Sequence, residues 1–203
     1  MVYRTTPKMA QRKAAHRADL LEVAISQFGK HGYHATTVPM IVQASGSSTG
    51  SFYFYFHNKE DVFAAALESF GARIAEALNV AIAQAGPSPL QHMRAAVERM
   101  VSFMAENPDE ARILIVESSG LSERLQHIRR AIVASHSRSV EMALTQLWPG
   151  LPPLDPALAA RCWVGGVYES VFHWLELPPA QRPPAESVAK TVAEFNLRAV
   201  GAL

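Results

Sequence analysis

Residues Ser45 to Phe63 read SGSSTGSFYFYFHNKEDVF: small residues with two glycines, five consecutive aromatic side chains, then a charged segment. Three local structures compete for this stretch: a glycine-rich loop that cradles a phosphate, an aromatic strand after a turn, or the turn and second helix of a helix-turn-helix. The phosphate loop needs its glycines just ahead of a lysine, at the mouth of a helix that follows a strand. Gly46 and Gly50 have no lysine beside them, and no strand pattern precedes them. A half-buried strand alternates apolar and polar residues, whereas Phe52 to Phe56 put aromatics on both faces with no partner strand nearby.

The flanking residues favour the third structure. In HGYHATTVPMIVQASGSS, His31 to Ser48, Gly32 is suited to end one helix, and Thr36 or Thr37 to cap the next. Pro39 falls in the first turn of that helix, where its missing amide hydrogen is harmless. Val38, Ile41 and Val42 give it an apolar face. Gly46 then supplies the left-handed turn residue between two helices that meet at a steep angle. Ser47 or Ser48 caps a short third helix running to about Phe54, so the helix-turn-helix occupies about residues 37–56.

Outside this region the prolines divide the chain, because proline lacks an amide donor and clashes with the preceding helical turn. They cluster at Pro87 and Pro89, at Pro108, from Pro149 to Pro156, and from Pro178 to Pro184. Between clusters the apolar residues recur at three- and four-residue steps, as in Phe63, Leu67, Phe70, Ile74 and Leu78. The fold expected is all-α with about nine helices. Three short segments form an N-terminal module, residues 1–60, and longer, more apolar helices form a body over 61–203. No internal repeat or low-complexity tract is evident.

Composition bounds the function. The 203 residues carry a formal net charge of only +1, so bulk charge does not announce a nucleic-acid binder. The distribution is more informative: Arg4, Lys8, Arg12, Lys13 and Arg17 precede Asp19 with no acid among them, a basic arm suited to phosphate contacts. Cys162 is the only cysteine, which excludes a disulfide framework, a zinc spacing or a redox pair and suits a reducing cytoplasm. No apolar run is long enough to cross a bilayer, and the N-terminus has no apolar signal core, so a cytoplasmic protein without membrane association is expected. No nucleophile elbow, paired metal-ligand spacing or dinucleotide fingerprint points to an enzyme, a metal or a cofactor.

The stretch GYHATTVPMIVQASGSSTGSFYFYFHNKEDVF resembles the DNA-binding signature of the TetR family of bacterial transcriptional regulators. Gly32, Tyr33, Thr36, Thr37, Val38, Ile41, Gly46, Ser48, Gly50, Tyr53, Phe56, Lys59 and Glu60 stand in matching positions with unbroken spacing. Ser47 replaces the usual apolar turn residue, Tyr55 the common His and Val42 the common Ala. The resemblance implies a homodimer on the nucleoid that binds an inverted repeat in double-stranded DNA, represses, and lets go when a small effector binds the body. It also implies backbone-phosphate contacts from Thr37, with Thr36 beside it, and from Tyr53, Tyr55 and Lys59. A recognition helix presents its N-terminal residues to base edges, which makes Ser48, Thr49 and Ser51 the base-edge candidates. A serine before a helix is also an ordinary cap, and an exposed tyrosine an ordinary amphipathic ring.

In the body, Leu158 to Leu177 is apolar around most of its circumference, and Gly165 and Gly166 invite close approach of another helix. With Val188, Val192, Phe195 and Ala199 on the last segment, these residues form the expected dimer interface; a single helix-turn-helix reads only one half-site. Met93, Met100, Phe103, Met104, Trp163 and Phe172 are candidate pocket residues for a lipophilic effector, although methionines at helical spacing also serve as plain core. His136 falls on the apolar stripe between Ile132 and Val140, where a polar group needs a partner, as a ligand contact or as a satisfied interior histidine. The competing function is a helical small-molecule-binding or adaptor protein without specific DNA binding; salt-sensitive binding to DNA separates the two.

Overall fold

The structure, a computed structural model, describes residues 7–148 and 154–201; Arg4 of the basic arm and the prolines from Pro149 to Pro153 lie outside them. The described residues form nine α-helices and no strand: α1 (Pro7–Ala35), α2 (Val38–Ser45), α3 (Thr49–Tyr55), α4 (Lys59–Gln84), α5 (Pro89–Glu106), α6 (Pro108–Arg112), α7 (Glu123–Leu147), α8 (Pro156–Glu176) and α9 (Ala185–Ala199). One wide π-turn, Ile113–Glu117, continues α6, and a 3₁₀ turn, Pro179–Gln181, precedes α9.

Local chemistry sets the boundaries. Thr37 caps α2 by accepting the Met40 amide at 3.4 Å, and Pro39 sits in the first turn. Gly46 adopts φ 65°, the left-handed conformation, and its amide closes the helix on the Gln43 and Val42 carbonyls. Ser48 caps α3 by accepting the Ser51 amide at 3.1 Å. Asn58 caps α4, with Glu60 and Asp61 in the first turn where acids suit the helix dipole. Ser88 and Gln91 form a reciprocal capping box at α5. Gly32 does not end α1 outright: at φ 76° it kinks the helix, and one more turn follows to Ala35.

The N-terminal module buries Leu20, Phe28, Ile41, Phe52 and Phe56 together with Phe63 and Leu67 of α4. Phe63 meets Phe28 edge-on at 4.9 Å and Tyr33 at the same distance. The first turns of α4 therefore belong to the core of the small module, and a division at residue 60 cuts across it. Further along, Phe70 of α4 stacks on Phe103 of α5 at 5.8 Å, so one helix is built into both parts. In the body α5 lies between α4 and α9, and α7 packs along α8. Gly71 lets α4 and α7 touch, since a Cβ there would stand 2.9 Å from Ile132.

Two polar links tie the module to the body. Glu117, at the end of the π-turn, accepts the Tyr33 amide at 2.9 Å, just past the Gly32 kink. Arg124 of α7 bonds Asp61 of α4 at 2.5 Å, which holds that carboxyl below its ordinary range, and His57 adds a second bond.

Candidate nucleic-acid interface

α3 carries four aromatic residues among its seven, with Phe56 following as its C-cap, and only one side of so short a helix can face inward. Phe52 and Phe56, one turn apart, take that side and are buried. Thr49, Gly50, Tyr53 and Phe54 face solvent. The N-terminal half of α1 lines up beside this surface: Lys13 Nζ sits 5.0 Å from the Phe54 ring centre, and Arg17 lies 5.0 Å over the Phe56 ring. Lys8 and Arg12 of α1 are exposed as well. An outward helix with small residues at its start and cations at its flank has the form needed to enter a major groove between phosphates.

The individual candidates separate by what their polar atoms already do. Thr49 is exposed, as is Tyr53, which keeps 51% of its surface. Thr37 is exposed at the start of α2 beside its capping role. Ser48 is engaged as the cap of α3, and Ser51 lies 2.8 Å from His16 Nε2 of α1, so both hydroxyls already have protein partners. Tyr55 is half-buried, its ring tilted against His16 at 5.7 Å. Lys59 donates to the Tyr33 carbonyl at 2.6 Å and sits 4.3 Å over the Tyr33 ring; burial holds its pKa below the usual lysine value. That ammonium fastens α4 to the end of α1. Thr36 needs correction: it is fully buried and its hydroxyl donates to the Gly32 carbonyl at 2.7 Å, because it closes the turn after the kink and cannot reach a phosphate.

Sequence reasoning missed Phe54, which is 64% exposed. The signal was present: with Phe52 and Phe56 inward, the intervening aromatics must point outward. An exposed ring on a recognition helix can meet a thymine methyl or a sugar.

The effector candidates also separate. Met100, His136 and Trp163 line one cavity of ≈ 190 Å³ between α4, α5, α7 and α8, together with Leu78 and Ile82. Phe172 lines a neighbouring recess with Arg129 and Tyr168. Met93, Phe103 and Met104 reach neither; they are buried in the core, Phe103 against Phe70 and beneath Arg73 and Arg99. For these three the methionine-rich stripe of α5 is packing, because α4 and α9 cover it on both sides.

On α8 and α9 an apolar groove of ≈ 260 Å³ opens outward, lined by Leu154, Leu158, Cys162, Phe195 and Ala199. Leu158 is 60% and Phe195 69% exposed. Gly165 is exposed with nothing within 4 Å of a would-be Cβ, and Gly166 has only Asn196 near it. Of the α9 candidates, Val192 is buried within the chain and Val188 half-buried, whereas Phe195 and Ala199 are exposed.

A short helix capped by serine, turned sharply through a left-handed glycine from the helix before it, defines a helix-turn-helix, the motif whose second helix enters the major groove in DNA-binding proteins. Residues 20–66 match the sequence pattern of the bacterial regulatory proteins of the tetR family. That match spans most of the N-terminal module and the first turns of α4. Over 163 residues the chain is 29% identical to YdgC of Bacillus subtilis, an uncharacterized HTH-type transcriptional regulator, covering 77% of this chain and 80% of the relative. The fold is also similar to that of the regulator FadR from Bacillus subtilis in complex with stearoyl-CoA, with TM-score 0.78, 20% identity, and 92% and 98% of the two chains covered. A third likeness is to AibR in complex with isovaleryl coenzyme A and operator DNA, with TM-score 0.74, 20% identity, and 89% and 97% covered.

Proposed function

We propose that the protein is a ligand-responsive transcriptional regulator that binds an inverted-repeat operator as a homodimer. Its mode is repression, relieved when a small lipophilic effector occupies the body. The observation that carries this reading is the outward face of α3, Thr49, Gly50, Tyr53 and Phe54, flanked by Lys13 and Arg17 of α1. Thr49 reads a base edge, Tyr53 and Thr37 fix register on phosphates, and the arm adds salt-dependent attraction. The apolar face on α8 and α9, with Leu158 and Phe195 bare, gives the second copy its seat and sets two recognition helices against successive major-groove faces.

The cavity lined by Met100, His136 and Trp163 receives the effector. Two regulators of the same fold hold acyl-coenzyme A molecules, which supports an apolar chain or ring as the effector's body. α4 transmits occupancy, since it is packed into both the cavity wall and the core beneath α3. By linkage, an effector that lowers DNA affinity binds the DNA-bound protein more weakly by the same factor.

The test is fluorescence anisotropy with a labelled duplex from upstream of the protein's own gene, between 50 and 200 mM salt. Tight, sequence-specific binding that weakens steeply with salt is expected. Equal weak binding to this duplex and a scrambled one of the same composition would leave only a helical ligand-binding protein.

A further inference from the structure

His136 lies mid-way along α7, 6% exposed, and its ring lines the cavity described above. Nδ1 is 3.1 Å from the Tyr168 hydroxyl of α8. Nε2 is the one buried side-chain polar atom among the described residues that has no hydrogen-bond partner. Buried polar groups are nearly always matched, and an unmatched one beside a cavity calls for an explanation.

The pairing with Tyr168 fixes what Nε2 offers. If Nδ1 carried the proton and donated to the phenol, the phenolic hydrogen and the Nε2 lone pair would both be left over. If the phenol donates to Nδ1, a single group is left over, the Nε2 hydrogen. Burial raises the Tyr168 pKa beyond the ordinary tyrosine range, so the phenol keeps its proton. Burial also lowers the His136 pKa to about 4, so the imidazole is neutral at pH 7. One nitrogen then accepts from tyrosine and the other donates.

The remaining lining explains what can meet that donor. No Lys, Arg, Asp or Glu lines the cavity. The Ser135 and Ser139 hydroxyls donate to the Ile132 and Ser135 carbonyls, and Asn79 is exposed. The volume, ≈ 190 Å³, is of the order of the ~150 Å³ apolar cavity that takes a benzene. A charged ligand would lose its hydration there without a counter-charge.

We infer that this cavity selects a neutral, benzene-sized lipophilic molecule bearing one carbonyl acceptor, and that the His136 Nε2 hydrogen is the group that recognises the carbonyl. The inference rests on the effector-cavity reading above and names its chemistry. Tyr168 acts as a positioning residue, holding the ring in the tautomer that donates.

Acetophenone and cumene have nearly the same shape and differ in the carbonyl, so their affinities for the full-length protein, measured by calorimetry, isolate this contact. Acetophenone should bind at least about fivefold more tightly than cumene, and benzoate more weakly than acetophenone. Acetophenone should also shift the ¹⁵N–¹H resonance of His136 Nε2 downfield in the wild type, a readout that needs no variant. His136→Leu should bind acetophenone and cumene alike, and Tyr168→Phe should narrow the gap. Equal affinities in the wild type, an unmoved His136 resonance, or discrimination surviving in His136→Leu overturns the inference while leaving the cavity as an effector site. Binding of neither probe at millimolar concentration removes both.

Discussion

Thr49 and Tyr53 stand one turn apart on the outward side of α3, yet the groups they would offer DNA under the proposed function differ in kind. A hydroxyl and methyl at the helix start can read a base edge, whereas a phenol further along reaches a phosphate. Thr49→Ala should change which base is preferred at one position, by about 1 kcal/mol or more between sequences, while Tyr53→Phe should weaken all duplexes alike. Competition binding against a panel of single-base operator variants separates the two. His136 makes a second claim at this scale. Its pKa falls from 6.5 to about 4 on burial, so the unfolded chain takes up the proton first as pH drops. Stability is unaffected above pH 6.5 and declines from there towards pH 4, a loss of about 2 kcal/mol by pH 5. Urea unfolding at pH 7.5 and 5.0 should show that loss in the wild type and a smaller one in His136→Met.

Among the elements, those with strong chemical punctuation were legible and those defined by neighbours were not. Pro39, Gly46 and Ser48 mark α2, the turn and α3 through backbone conformations that few other residues supply, so the helix-turn-helix stood out from the letters alone. Val188, Val192, Phe195 and Ala199 looked like one stripe on α9; in the fold Val192 is buried within the chain while Phe195 stays bare. Periodicity gives a face but not what lies against it. Likewise Met93, Met104 and Met100 share α5, and only the placement of α4, α8 and α9 around them assigns Met100 to the cavity. The π-turn Ile113–Glu117 had no signal in the sequence either, since its value lies in delivering Glu117 to the Tyr33 amide. Glu117→Ala should cost about 1–2 kcal/mol by removing a charged acceptor from that amide. Hydrogen exchange should accelerate at Tyr33 in that variant, and Glu117→Gln should restore most of the protection.

For the whole molecule, the proposed pairing depends on a surface of α8 and α9 that the isolated chain leaves bare. Gly165 has open space around it, so Gly165→Leu should be accepted within one copy and obstruct the approach of another. Light scattering at micromolar concentration should give a dimer for the wild type and a monomer of unchanged helicity for the variant; a wild-type monomer would remove the seat proposed for the second copy. Operator affinity should fall with it, because two half-sites can be read only by two linked helices. The groove on this surface also contains the chain's single thiol, Cys162, which is exposed in one copy. That position turns the sulfur into a clock for subunit exchange. An excess of a thiol-reactive dye would label it at the unimolecular rate at which copies come apart, whatever the protein concentration, while in Gly165→Leu labelling would be limited only by the dye. Lifetimes of the paired state, with or without operator, could then be timed from one natural atom, with no engineered probe.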